Sequence, residues 1–129
     1  MNKIKVVIID DSALVRKVLT QILNSTADIE VCASAPNAYL GRDYIVQYKP
    51  DVLLLDIEMP KMDGLTFLEK LMSHYPMPVI IVSSLSENES ETALRAIELG
   101  ALEVMKKPGG SYSIVDMKEQ LIDKIRSVA

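Results

Sequence analysis

At 129 residues the chain has room for one domain, and a hydrophobic share of 49% supplies apolar surface for one substantial core. A net charge of −4, with basic residues scattered among acidic ones rather than gathered into a stripe, argues against a nucleic-acid surface. The single cysteine, Cys32, excludes an internal disulfide and any multi-cysteine metal site, and no apolar segment approaches the roughly 18 residues that span a bilayer. A soluble, cytoplasmic protein is expected, with Cys32 as a small buried strand residue.

The run 6–9 reads as a buried strand ending in Asp10, Asp11 and Ser12. Leu14, Val15, Val18, Leu19, Ile22 and Leu23 then recur at the spacing of an amphipathic helix, with Ser12 placed to cap it. Residues 29–35 form a weaker strand pattern, favoured by Val31 and diluted by Glu30 and Ser34. Asn37 caps a helix through Ala38, Leu40, Ile45 and Tyr48, with Gly41 an unfavourable interior residue. Residues 52–55 are four consecutive apolar side chains between Pro50 and Pro60, the pattern of a strand buried on both faces of a parallel sheet, and they run straight into Asp56.

Residues 60–64 form a loop, and Leu65, Leu68, Leu71 and Met72 mark the inner face of a third helix ended by His74, Tyr75 and Pro76. The β-branched run 79–82 leads to Ser83 and Ser84. A helix from Ser90 or Glu91 to Leu99 closes at Gly100, and a short strand over 102–105 leads to Lys106, Lys107 and Pro108. Gly109 and Gly110 break the chain before a last helix with Ile114, Met117, Leu121, Ile125 and Val128 on one stripe. Glu87 to Glu91 reads as a solvated approach to the fourth helix, whose proximity to Ser83 leaves a role in partner recognition open, the tyrosines 39, 44 and 48 as a partly buried helix face, and the methionines as core and loop contacts.

Five strands alternating with five helices through short connections imply a parallel sheet covered on both faces by right-handed crossovers. The expected architecture is a doubly wound, flavodoxin-like α/β fold with strand order 2-1-3-4-5. Strands one and three are then neighbours at the switch point, which brings Asp10 and Asp11 beside Asp56. Ser83 and Lys107 end strands on the same rim.

Three carboxylates on one rim repel, at a cost of about 4 kcal/mol for a pair about 4 Å apart at an effective dielectric near 20. A cation would offset that repulsion. Oxygen-only ligands select a hard ion, and one or two direct carboxylates with several waters suit Mg²⁺ better than Ca²⁺. Magnesium in turn suggests a phosphoryl group. Asp56 is then the candidate nucleophile, forming an acyl phosphate, with Ser83 donating to one phosphoryl oxygen and Lys107 neutralising another.

In Asp10-Asp11, Asp56, Met59-Pro60, Asp63-Gly64, Ser83 and Lys107-Pro108 the chain resembles a response-regulator receiver domain along its whole length. The resemblance implies that Asp10, Asp11 and Asp56 hold Mg²⁺ with the backbone carbonyl of Glu58, that Lys107-Pro108 is often a cis bond, and that a histidine kinase supplies the phosphoryl group. Residues 10–16, 56–60 and 78–85 further resemble the receivers of the chemotaxis protein-glutamate methylesterases. That narrower likeness implies a chemotaxis-type, CheA-like histidine kinase as partner, and a C-terminal methylesterase domain that phosphorylation unmasks. The expectation is that 1–129 is the receiver alone, since the only histidine is His74 and no Ser-His-Asp triad can be assembled. Val104 departs from the family, many of whose members carry an aromatic switch residue there.

A free-standing regulator that acts by binding a partner is the alternative within the family. An aspartate-nucleophile phosphatase of the haloacid dehalogenase type fits less well, because its Asp-x-Asp pair belongs on the first strand, whereas Asp56 and Glu58 follow the third. A nucleotide or flavin carrier would need a glycine-rich or hydroxyl-rich cradle where Asp10-Asp11-Ser12 stands.

Overall fold

The computed structural model describes residues 2–84, 90–107 and 114–129. Its elements follow in strict alternation: β1 Ile4–Ile9, α1 Ala13–Asn24, β2 Ile29–Ala35, α2 Ala38–Tyr48, β3 Val52–Leu55, α3 Gly64–His74, β4 Val79–Ser83, α4 Ser90–Glu98, β5 Glu103–Lys106 and α5 Ile114–Val128. All five strands are parallel, in the order β2-β1-β3-β4-β5. The expected flavodoxin-like, doubly wound topology is the observed one.

The apolar runs are continuous because both sheet faces are covered, so every side chain in the central strands needs an apolar partner. Val6, Ile8, Val52, Leu54, Ile80 and Val82 point to one side, where Leu19 and Leu23 of α1 meet Met117, Leu121 and Ile125 of α5. Val7, Ile9, Leu53, Leu55, Val79 and Ile81 point to the other, against Ile45 of α2, Phe67 and Leu68 of α3 and Ala96 of α4. Each fully buried Leu, Ile or Val contributes roughly 1.5–3 kcal/mol, so the two cores hold the sheet rigid behind its carboxyl-end rim.

Local signals place the helices. Ser12, Asn37 and Asp63 accept hydrogen bonds from the amides of Val15, Leu40 and Thr66, each supplying an acceptor to an otherwise orphaned first-turn donor. Gly100, at φ +119°, closes the segment after α4 in a conformation that a side chain resists. Gly41, unfavourable by helix propensity, is explained by packing: a Cβ there would run into the side chain of Ile9, so α2 lies close against β1.

Some expectations need correction. Leu14 shares the helical spacing but is 70% exposed, because it lies in the first turn of α1, beyond the edge of the core. Leu102 precedes β5 and is also exposed, while Ser83 and Lys106 extend their strands by one residue. Phe67 joins the buried face of α3, which the pattern of leucines had not included. Cys32 is only half-buried, and sits where the β1–β2 register slips, Val6 facing Val31 but Val7 facing Ala33. Burial pushes its thiol pKa up. Tyr39 is exposed and Tyr44 packs at a tilt on Tyr48, with ring centroids 6.0 Å apart. The residues 85–89, the Lys107–Pro108 bond and the Gly109-Gly110 break lie outside the described residues.

Candidate functional site

The sheet ladder carries the acidic residues directly. Ile9 pairs with Leu55, and beyond that pair the Asp56 amide donates to the Ile9 carbonyl at 2.9 Å and the Asp10 amide to the Ala35 carbonyl at 3.0 Å. On the other side of the site the Lys107 amide donates to the Ser83 carbonyl at 2.8 Å. The three strand ends are therefore set by backbone bonds of the sheet, not by flexible loops.

Asp10 and Asp56 are buried, Asp11 is exposed, and one carboxylate oxygen from each lies within 4.8 Å of the others. Lys107 bridges the buried pair, its Nζ 2.9 Å from Asp10 Oδ2 and 3.3 Å from Asp56 Oδ2. Asp10 Oδ1 accepts from the Ser12 amide at 2.9 Å, and Asp56 Oδ1 from the Ile57 amide at 2.8 Å. One ammonium serves two carboxylates, and it cannot neutralise both. Burial and the Asp10 charge raise the Asp56 pKa to about 6 despite Lys107. Burial would lower the Lys107 pKa, but its hydrogen bond to Asp10 and the two carboxylate charges outweigh that and hold it above the ordinary lysine range.

Asp56, Lys107 and Asp11 open onto a groove of about 530 Å³ also lined by Ile57, Glu58, Met59, Asp63 and Ser84. Glu58 lies on the loop wall. Asp63 is engaged in capping α3, where the Thr66 amide and hydroxyl donate to it at 2.9 Å each and hold its pKa down. Ser83 is 1% exposed, and its hydroxyl has no hydrogen-bond partner among the described residues. It is Ser84, not Ser83, that lines the groove, so the sequence-predicted Ser83 lies one residue behind its wall, a buried hydroxyl able to donate to an incoming acceptor. Val104 is half-buried against the core under α2, α3 and α4.

Two contributors lie within the stretches that carry the family resemblance, but had no role assigned to them from the sequence. Arg16, six residues after Asp10, donates from Nη1 to the Asp10 carbonyl at 2.7 Å. Gly64 brings the start of α3 against the loop after β3: its amide donates to the Ile57 carbonyl at 2.7 Å, and a Cβ would collide with the Asp56 carbonyl oxygen and lie 2.8 Å from Ile57 Cα. All the obstructing atoms are backbone, so nothing can swing aside. Gly64→Ala is expected to destabilise the domain by about 2 kcal/mol and to shift the amide resonances of residues 56–58. An unchanged melting curve and spectrum would show that this close approach does not set the loop.

The acidic trio suits a hard divalent ion, since its donors are all oxygen and three strand-end carboxylates share one small space with a single ammonium. Comparison with known proteins agrees with the geometry. Residues 6–119 match the response regulator receiver domain model. Over 129 residues the chain is 56% identical to a protein-glutamate methylesterase/protein-glutamine glutaminase 2 of Syntrophus aciditrophicus (strain SB), covering all of this chain and 38% of that protein. It is 51% identical over 130 residues to the corresponding protein-glutamate methylesterase/protein-glutamine glutaminase of Bdellovibrio bacteriovorus, covering 99% of this chain and 37% of that one. The chain thus spans well under half the length of these relatives. Among solved structures, the response regulator domain of Thermotoga maritima CheB superposes with a TM-score of 0.88 at 36% identity, covering 98% of this chain and 96% of that one. A chain of the CheX-CheY-BeF3-Mg²⁺ complex of Borrelia burgdorferi superposes with a TM-score of 0.82 at 28% identity, covering 98% and 90%. With its fold, its carboxyl-end rim of Asp10, Asp11, Asp56 and Lys107, and a family match over residues 6–119, the chain belongs to the response regulator receiver domain family.

Proposed function

We propose that Asp56 is the phosphoryl acceptor of a chemotaxis receiver, taking its phosphoryl group in the cytoplasm from a chemotaxis-type histidine kinase and regulating a C-terminal methylesterase domain. The observation that carries this reading is the buried Asp56 carboxylate, 3.3 Å from Lys107 and within 4.8 Å of Asp10 and Asp11 oxygens, opening onto a groove. The identity of 56% to a protein-glutamate methylesterase supports the choice of output.

One Asp56 carboxylate oxygen attacks the phosphorus of a phosphohistidine. The new O–P bond forms as the P–N bond breaks, the electron pair staying on the imidazole nitrogen, which takes up a proton from water, and the product is an acyl phosphate on Asp56. With a pKa near 6, Asp56 is ionised and nucleophilic at neutral pH. The Ile57 amide holds Oδ1 and so fixes the carboxylate plane. Lys107, already within reach of Asp56, exchanges a carboxylate contact for a phosphoryl oxygen, and the orphan hydroxyl of Ser83 donates to another. Mg²⁺, when held by Asp10, Asp11, Asp56 and the Glu58 carbonyl, supplies the remaining positive charge for the phosphoryl oxygens. The B. burgdorferi relative was solved with BeF3 and Mg²⁺, which supports that assignment. Movement of the Ser83 hydroxyl toward the phosphoryl group would carry the change to α4 and β5 without an aromatic side chain at Val104.

Intact mass after incubation with acetyl phosphate is the direct test. A single base-labile phosphoryl adduct on Asp56, formed with Mg²⁺ and absent in chelator, is expected. No adduct on a folded domain, or an adduct elsewhere, would overturn the reading.

A further inference from the structure

Among the acidic trio, Asp11 is the exposed member, and its carboxylate has no hydrogen bond or ion pair among the described residues. Its direction is therefore set by the backbone of residues 10–12. Three hydrogen bonds that involve a side chain, all within residues 10–16, shape that turn. The Ser12 amide donates to Asp10 Oδ1 at 2.9 Å, the Val15 amide donates to Ser12 Oγ at 3.2 Å, and Arg16 Nη1 donates to the Asp10 carbonyl at 2.7 Å. The first two are local to the turn and the start of α1. Arg16 alone of these reaches back six residues from the end of the first turn of α1 to the strand end.

The Asp10 carbonyl lies just past the paired part of β1: the Asp56 amide donates to the Ile9 carbonyl on the β3 side, while Asp10 turns its peptide toward β2, its amide donating to the Ala35 carbonyl. Without Arg16 that part-buried carbonyl would lack its donor, and rotating the Asp10–Asp11 peptide toward water is the obvious relief. The same rotation would swing Asp11 away from Asp56.

We propose that Arg16 is a positioning residue for metal binding: by clamping the Asp10 carbonyl it holds the Asp10–Asp11 turn so that the Asp11 carboxylate stays within bridging distance of Asp56. The proposal rests on the Mg²⁺ site assigned above. Groups that orient metal ligands cost 10–100-fold in metal affinity when removed, so an effect of about 10-fold is expected. A guanidinium near a cation site also repels the cation. Removing that charge would tighten binding, opposite in sign to the loss of positioning, so the two roles are separable.

The test is Mg²⁺ titration of the folded domain followed by amide chemical shifts, a choice favoured by the lack of tryptophan. Arg16→Gln keeps an apolar stem but loses charge and reach, and is expected to bind Mg²⁺ about 10-fold more weakly, with altered Asp11 and Ser12 amide shifts already in the metal-free protein. Arg16→Lys, which restores a donor without the rigid fork, is expected to recover part of the affinity. Leu14→Ala, an exposed neighbour on the same helix, is expected to bind as wild type does. Unchanged or tighter binding by Arg16→Gln overturns the positioning role. Should Arg16→Gln not fold, Arg16→Lys decides alone: binding indistinguishable from wild type overturns the proposal, and weaker binding supports it. Failure of the wild type to bind Mg²⁺ would instead overturn the assigned metal site, and this inference with it.

Discussion

Asp56→Asn is expected to melt about 5–10 °C above the wild type in chelator near neutral pH, and to accept no phosphoryl group. The carboxylate is buried next to Asp10, and burial together with that charge lifts its pKa from 3.8 to about 6. A shift of about two units corresponds to about 3 kcal/mol favouring the neutral form in the fold. Because the folded value lies above the unfolded one, the stabilising contribution is complete below about pH 3.8 and is lost as pH rises through about 6. Above that window the wild type carries the full penalty, and an amide of the same shape does not. Stability measured from pH 4 to 8 should therefore fall in the wild type across this interval relative to Asp56→Asn. Millimolar Mg²⁺ should close the gap by binding the ionised wild type preferentially. An equal or lower melting temperature for Asp56→Asn in chelator would refute the crowding of carboxylates as the source of the strain.

Replacing Lys107 should act in the opposite direction. Lys107→Met leaves Asp10 and Asp56 facing each other without the ammonium that lies 2.9 and 3.3 Å from them. Removing one partner of a buried ion pair costs about 3–5 kcal/mol, because the remaining charge is stranded away from water. A loss near the lower end, about 3 kcal/mol, is expected in chelator, since Asp56 can take up a proton to relieve the repulsion. Mg²⁺ should restore much of that stability. Phosphoryl uptake should still fall about 100-fold, as expected when a preorganised cation for the transferred group is lost. The double variant Asp56→Asn/Lys107→Met should be more stable than Lys107→Met alone, since only Asp10 is then stranded. A strictly additive cycle would mean that the two side chains do not share one electrostatic site.

The contrast between these two variants rests on information of different origin. The alternation of strands and helices is legible along the chain, because apolar runs, capping residues such as Ser12 and Asn37, and stops at Pro50 and Gly100 act within a few residues of where they stand. The same local signals place Asp10, Asp56, Ser83 and Lys107 at strand ends, and the crossover rules for five short parallel strands then put those ends on one rim. Periodicity misled at Leu14, whose helical phase is right but whose place in the first turn lies beyond the core, and it overlooked Phe67, flanked by residues of both faces.

Three features emerge only in three dimensions: which of two adjacent aspartates is buried, that Lys107 divides its charge between Asp10 and Asp56, and that the Ser83 hydroxyl is left without a partner among the described residues. The same is true of the Arg16 clamp and of the backbone that Gly64 alone can approach. The physical reason is range. Hydrophobic patterning and capping are local and can be read along the chain, whereas desolvation and Coulomb energy depend on ångström distances between groups that five strands bring together from opposite ends of the sequence.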